Sequence, residues 1–260
     1  MTGPTYLQFH LAFLLPALML MTATAFVSRS RLRAVGRWHF GADWTYWGGV
    51  ALIAVVALAY TTPWDNYLIA TGVWSYGEGS TLATIGYAPI EEYAFILVQP
   101  WLTALWLSHL SLPRGLTTPS NPVGTRVATT GVAVALGVAG WRLLGTDATL
   151  YLGAILAWAA PVLALQWAVG APQLWARRRL VVLGTLVPTT YLCVADRVAI
   201  EYGIWTLSPR YTTGVEIAGL PVEEALFFVV TNLFVVQGLV LYRWVLDRRG
   251  ATEADDAGAR

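Results

Sequence analysis

The sequence predicts an all-α membrane protein: seven transmembrane helices, built from two parallel three-helix repeats plus one extra helix. Three observations predict it: an apolar composition, seven stretches near spanning length, and one text written twice. Of 260 residues, 57% are hydrophobic and 12% charged, and mean hydropathy is +0.57. A soluble domain carries about 25% charged residues, so a soluble globular protein is excluded, and no block remains for a large aqueous module. The formal charge of +1 gives no reason to expect nucleic acid as a partner. The single cysteine, Cys193, excludes an intramolecular disulfide and a cysteine-based metal site. All sixteen cationic residues are arginine. Without a lysine no retinal Schiff base can form, so a retinal photoreceptor is excluded.

A bilayer core about 30 Å thick needs roughly 17–25 apolar residues per helix. The first stretch, Tyr6–Val27, contains Ala23-Thr24-Ala25, which looks like a cleavage site. Its first arginine is Arg29, behind the apolar run and not ahead of it, so a retained span is expected. Trp44–Tyr60 is short. Pro89–Leu110 opens on a proline, and Val127–Leu144 carries Arg142 near one end, where it can snorkel. Leu150–Val169 carries no charged residue, Leu180–Ala195 is short and holds Pro188, and Pro221–Leu246 is the longest. Thirteen arginines fall on one side of these spans and three (Arg142, Arg197, Arg210) on the other. Cytoplasmic loops are enriched in cations, so the pattern predicts a multi-pass protein of the cell membrane, N-terminus outside and C-terminus cytoplasmic. The expected organisation is a first repeat over 1–115, a linker over 116–126, a second repeat over 127–246 and a disordered cytoplasmic tail over 247–260.

The two longest outside loops, about 62–88 and 196–220, hold the duplicated text. Asp65, Gly72-Val73-Trp74 and Pro89-Ile90-Glu91-Glu92 reappear as Asp196, Gly203-Ile204-Trp205 and Pro221-Val222-Glu223-Glu224. Asp to Gly is seven positions in both copies; Trp to Pro is fifteen in one and sixteen in the other. Each Pro-x-Glu-Glu enters an aromatic apolar helix, through Phe95 in one copy and Phe227-Phe228 in the other. Both copies fall on the same membrane face, so the repeat is parallel.

A proline at a helix start loses nothing, and acids in the first turn suit the free N–H groups and the positive dipole end. A well-capped interfacial helix therefore accounts for one copy. Two adjacent acid pairs at the edge of hydrocarbon point further, because a dry pocket favours the neutral, proton-donating form of a carboxylic acid. Adjacent helical residues differ by about 100° in direction, so one glutamate of each pair faces the bundle while its neighbour takes a cap or partner. Aromatic faces beside an acid suit chemistry that makes a cation, each worth about 0.5–2 kcal/mol. Ordinary packing and the interfacial belt account for the same aromatics, among them Trp38, Trp44, Trp47, Trp64 and Trp74. Asp65 and Asp196 are read as loop residues with positioning or proton-supply roles. His10, His39 and His109 are unduplicated and are read as structural or interfacial, so no metal site is expected. Gly77-Glu78-Gly79 lacks its third glycine, which leaves dinucleotide or ATP binding without support.

Two Pro-x-Glu-Glu motifs, each after an Asp…Gly-x-Trp loop and before an aromatic span, resemble the membrane-integral lycopene cyclase family of carotenoid biosynthesis. This is the small, non-flavin type, here as one fused chain, and the resemblance covers essentially the whole sequence. It implies an intramolecular lyase or isomerase that cyclises the ψ end groups of lycopene, or a related linear carotenoid, to β-ionone rings without redox change or cofactor. The product would be beta-carotene, by way of gamma-carotene. Catalytic residues would come from Glu91, Glu92, Glu223, Glu224, Asp65 and Asp196, and substrate contacts from Trp74, Trp205, Phe95, Phe227 and Phe228. A single composite site between the halves is expected, with the two ends of the substrate processed in succession. Membrane lipid and carotenoid-pathway enzymes are the further expected partners. Paired carboxylates and duplicated halves also occur in transporters and proton relays, and the aromatics alone would serve a non-catalytic carotenoid-binding protein.

Overall fold

The computed structural model describes residues 3–33, 44–110 and 119–258. Its helices are α1 (Tyr6–Phe9), continued through a π turn (His10–Leu14) into α2 (Leu15–Arg33), α3 (Trp44–Thr71), α4 (Ile90–His109), α5 (Pro122–Leu143), α6 (Leu150–Ala176), α7 (Arg178–Glu201) and α8 (Val222–Gly258). Among the described residues, six helical stretches are long and apolar enough to cross a membrane. The remaining long helix, α4, carries Glu91, Glu92 and Gln99 and packs against α2, α3, α7 and α8. A helix surrounded by protein can hold polar groups that a lipid-facing one cannot.

The helix boundaries differ from the apolar runs at the ends that matter most. α3 continues eleven residues past Tyr60 to Thr71, and α7 runs past Ala195 to Glu201. Asp65 and Asp196 therefore lie in helices and not in loops. The chain stays helical through Pro63 because Thr61, Asp65 and Leu68 bury on one face there; packing outweighs the single hydrogen bond the proline removes. α5 starts at Pro122, capped by Asn121 accepting from the Gly124 amide at 2.8 Å. Of the expected linker, residues 116–118 lie outside the described residues. The last helix continues beyond Asp247, through most of the stretch read as a tail, to Gly258.

The protein is not purely helical either. Short strands β1 (Trp74–Tyr76), β2 (Thr84–Ile85), β3 (Ala88–Pro89), β4 (Trp205–Leu207), β5 (Glu216–Ile217) and β6 (Leu220–Pro221) make three two-stranded antiparallel ribbons, β1–β4, β2–β3 and β5–β6. Backbone groups at the edge of hydrocarbon need internal partners, and the ribbons supply them.

α5 and α6 touch through glycines: a Cβ on Gly140 would stand 2.5 Å from the Ala157 amide, and one on Gly153 would stand 2.9 Å from the Gly140 carbonyl. Deeper in the bundle, Asn232 on α8 accepts from Gln99 Nε2 at 2.6 Å and from the Thr103 hydroxyl, and donates to Thr189 Oγ1 at 3.1 Å. That buried network ties α4, α7 and α8 together. At the other end of α4, His109 meets Thr24 Oγ1 at 2.9 Å and joins α4 to α2.

Candidate active site

The first glutamate of each pair closes a clamp. Glu91 Oε1 accepts from the Leu82 amide at 2.8 Å, and Glu223 Oε1 accepts from the Thr213 amide at 2.7 Å. In both copies the first amide of the helix also donates to the preceding loop: Ile90 to the Ala83 carbonyl and Val222 to the Val215 carbonyl, each at 2.9 Å. Hairpins β2–β3 and β5–β6 are thus bound to the starts of α4 and α8. Glu91 and Glu223 are buried but do not line the site cavity.

The second glutamates face inward. Glu92, Glu224, Asp65 and Asp196 line one cavity of about 60 Å³, walled by Phe95, Phe227, Phe228, Trp74 and Trp205. Asp65, Asp196 and Glu224 are 4%, 3% and 8% exposed, and Glu92 is partly exposed. Of the first pair, Glu92 and not Glu91 shares the cavity with Phe95.

The β1–β4 ribbon joins the halves. Trp74 pairs with Leu207, Ser75 with Thr206 and Tyr76 with Trp205. The exchange extends through the Gly77 amide to the Ile204 carbonyl at 3.1 Å and the Ser208 amide to the Val73 carbonyl at 2.8 Å. Each tryptophan is thereby carried toward the other half: Trp205 packs on Tyr6 at 4.9 Å, and Trp74 packs on Tyr151 at 5.4 Å. The two tyrosines are anchored alike, Tyr6 through its amide to the Ser80 carbonyl at 2.7 Å and Tyr151 to the Tyr211 carbonyl at 3.1 Å.

Polar contacts then diverge. Tyr76 donates to Glu92 Oε1 at 2.6 Å and receives Trp74 Nε1 at 3.0 Å. Tyr151 donates to Glu224 Oε1 at 2.8 Å, while Trp205 Nε1 donates to Asp196 Oδ1 at 2.9 Å. The second oxygens of Asp65 and Asp196 are buried without a hydrogen-bond partner. Burial first, and then the neighbouring Glu92, push the Tyr76 phenol well above its ordinary value, so it remains a hydroxyl donor.

Tyr6, Tyr76 and Tyr151 were not singled out from sequence. Tyr6 opens α1 and Tyr151 lies at the start of α6, both outside the duplicated loop text. His10 sits in the π turn with its ring 4.7 Å from that of Tyr6. Among the expected belt, Trp64 stacks on Phe227 at 5.7 Å and Trp47 on Trp101 at 5.8 Å, whereas Trp44 is exposed. Trp38 and His39 lie outside the described residues.

Taken together, a small, aromatic-walled space holds four carboxyl groups, two from each half. It can present both a proton donor and a proton acceptor to one apolar ligand. No protein-family model matches the chain, and no solved structure matches it. It is 55% identical over 201 residues to a lycopene beta-cyclase of Halobacterium salinarum, covering 77% of this chain and 84% of that protein. It is also 31% identical over 241 residues to a bifunctional lycopene cyclase/phytoene synthase of Phycomyces blakesleeanus, and 36% identical over 202 residues to one of Aspergillus niger. Those matches cover 89% and 74% of this chain but only 38% and 34% of the fungal proteins. At 55% identity over 77% of its length, and covering 84% of that relative, the chain belongs to the lycopene beta-cyclase family.

Proposed function

We propose that the chain is a carotenoid cyclase that closes the ψ end groups of lycopene into β-ionone rings, giving beta-carotene by way of gamma-carotene. One observation carries this reading beyond family membership: carboxyl groups from both halves line one aromatic cavity. A carboxylic acid adds its proton to the terminal alkene of the ψ end. The tertiary cation is attacked by the neighbouring alkene, which closes the six-membered ring and moves the charge onto a ring carbon. A carboxylate removes a proton from the adjacent carbon and leaves the ring alkene. One proton enters and one leaves, so the step is an isomerisation with no change of oxidation state.

Glu92, Glu224, Asp65 and Asp196 supply the acid and base. Glu91 and Glu223 hold the hairpins and act outside the chemistry. Phe95, Phe227, Trp74 and Trp205 exclude water, which would otherwise capture the cation, and their faces stabilise it by about 0.5–2 kcal/mol each. A single site between the halves serves both ends of the substrate in successive visits. A transport reading would want its carboxylates near the midplane; these four sit beside the hairpins at the helix ends.

The seven long helices are read as seven spans in two parallel repeats, α2–α4 matching α6–α8, with α5 extra. Hydrogen bonds made twice support this, for example Tyr60 to the Trp158 carbonyl at 2.8 Å and Tyr191 to the Phe13 carbonyl at 2.6 Å. The arginine asymmetry supports an outside N-terminus in the cell membrane, which puts the acid cavity at the outer end. Lipid surrounds the bundle, and enzymes of the carotenoid pathway hand substrate over within the same bilayer. The test is pigment chromatography of lycopene-accumulating cells expressing the chain. Beta-carotene should form, and Glu92→Gln or Glu224→Gln should stop it. Unchanged lycopene with confirmed membrane expression would overturn the assignment.

A further inference from the structure

The acid cavity is small, and a linear carotenoid has a long polyene behind each end group. A second cavity, of about 630 Å³, lies between α3, α4, α6 and α8. Phe95 and Phe227 line both spaces, so the larger one begins where the acid cavity ends. Along α8 it extends from Phe227 to Val245. Eighteen residues at 1.5 Å per residue are about 27 Å, close to the hydrocarbon thickness of about 30 Å. Its lining is almost wholly apolar, and the rim residues Leu52, Val56 and Leu165 are exposed. It therefore opens sideways, toward acyl chains.

A related crevice of about 370 Å³ lies between α2, α4 and α7. It shares no lining residue with the acid cavity, and the packed cluster of Leu14, Leu102, Leu192 and Phe228 stands beside it. Only the larger crevice is continuous with the acids.

We propose that the α3–α4–α6–α8 crevice is the polyene-binding groove: the substrate enters from the bilayer, lies along α8, and presents one ψ end past Phe95 and Phe227 to the carboxyl groups. This rests on the cyclase reading and adds to it a location for the substrate's apolar length. Shape and chemistry agree with a stiff, apolar rod, and lateral entry spares the substrate any passage through water. Because the groove reaches most of the way across the membrane, it selects for chain length as well as for the end group. The second end is presented only after the molecule withdraws and re-enters reversed.

The test is a groove blocked far from the acids. A Cβ on Gly238 would stand 3.0 Å from Ile53 Cδ1, inside the groove. Gly238 lies fourteen residues, about 21 Å, along α8 from Glu224. Membranes containing wild type or Gly238→Leu are assayed with lycopene and with a truncated carotenoid bearing one ψ end and half the polyene. For the variant, KM for lycopene should rise by about tenfold or more, while turnover of the truncated substrate stays within about twofold of wild type. Retained turnover of the short substrate shows that the variant is folded. Leu52→Trp, on the exposed rim, narrows the same groove without touching the core and should discriminate in the same direction. If both variants treat long and short substrates alike, the groove holds lipid or nothing of consequence, and the proposal is overturned. If wild type itself cyclises neither substrate, it is the cyclase reading that fails.

Discussion

The two halves build the same frame and then use it differently. Each places an aspartate in the last turns of a helix, a tryptophan in the shared ribbon, a glutamate clamp on its hairpin and a second glutamate in the cavity. They part at one ribbon position. Tyr76 in the first half corresponds to Leu207 in the second, since Trp74-Ser75-Tyr76 aligns with Trp205-Thr206-Leu207. With a hydroxyl available, Trp74 donates to Tyr76, which donates on to Glu92. With leucine there, Trp205 donates to Asp196 instead, and Glu224 takes its donor from Tyr151 on α6, whereas Glu92 meets Tyr6 as well as Tyr76. The repeated text thus holds two acid pairs, and the difference between Tyr76 and Leu207 sets their surroundings apart. That inequivalence suits a reaction needing one donor and one acceptor.

The largest expected effects come from the inward glutamates. General acid–base groups contribute about 10²–10⁴-fold, so Glu92→Gln and Glu224→Gln should each lower kcat by that order while lycopene stays bound. Ring isomers then sharpen the comparison. Loss of the proton donor stops ring closure. Loss of the acceptor lets the cation shed its proton elsewhere, and rings with a displaced alkene appear among the remaining product. Chromatography of both variants shows which half does which job, and an identical outcome for the two would break the inequivalence.

Next come the groups that hold the acids. A hydrogen bond to a charged group is worth about 1.5–3 kcal/mol, so Tyr76→Phe should reduce turnover by roughly 10–100-fold. Trp205→Phe releases Asp196 and should cost about tenfold in kcat with KM little changed. Trp74→Phe should cost less than Trp205→Phe, because Tyr76 still reaches Glu92 without it. Equal losses for the two tryptophan variants would show that the halves work alike after all.

What could be read from the chain beforehand follows from how each feature is encoded. Glu92 and Glu224 were visible because a doubled motif is improbable by chance; the step of about 100° between neighbours says that one glutamate of each pair faces the bundle but not which one. Asp65 and Asp196 were identified but placed in loops, since Thr61-Thr62-Pro63 ends the apolar run while packing keeps the helix going. The β1–β4 ribbon was invisible: three-residue strands have no period to detect, and these exist only because the other half supplies the partner. Tyr6 and Tyr151 were missed for a similar reason. Their spacing is 145 positions and that of the aspartates is 131, so they fall out of register with the loop text and only tertiary docking aligns them.

The smallest catalytic effect should fall where the halves remain alike. Glu91 and Glu223 accept from equivalent loop amides at 2.8 and 2.7 Å and lie outside the cavity. Alanine at either position leaves a part-buried amide unpaired, at about 1–3 kcal/mol, and lowers Tm by several degrees. Glutamine keeps a carbonyl oxygen for the same amide and should restore most of that loss. Turnover per folded molecule should stay within about twofold for all four variants, since no proton passes through these groups. The contrast with the neighbouring residues makes the measurement decisive: Glu91→Gln and Glu92→Gln differ by one position and one helical step. If thermal unfolding is unchanged in Glu91→Ala while kcat collapses as it does in Glu92→Gln, the clamp is part of the chemistry and the division of labour within each acid pair is wrong.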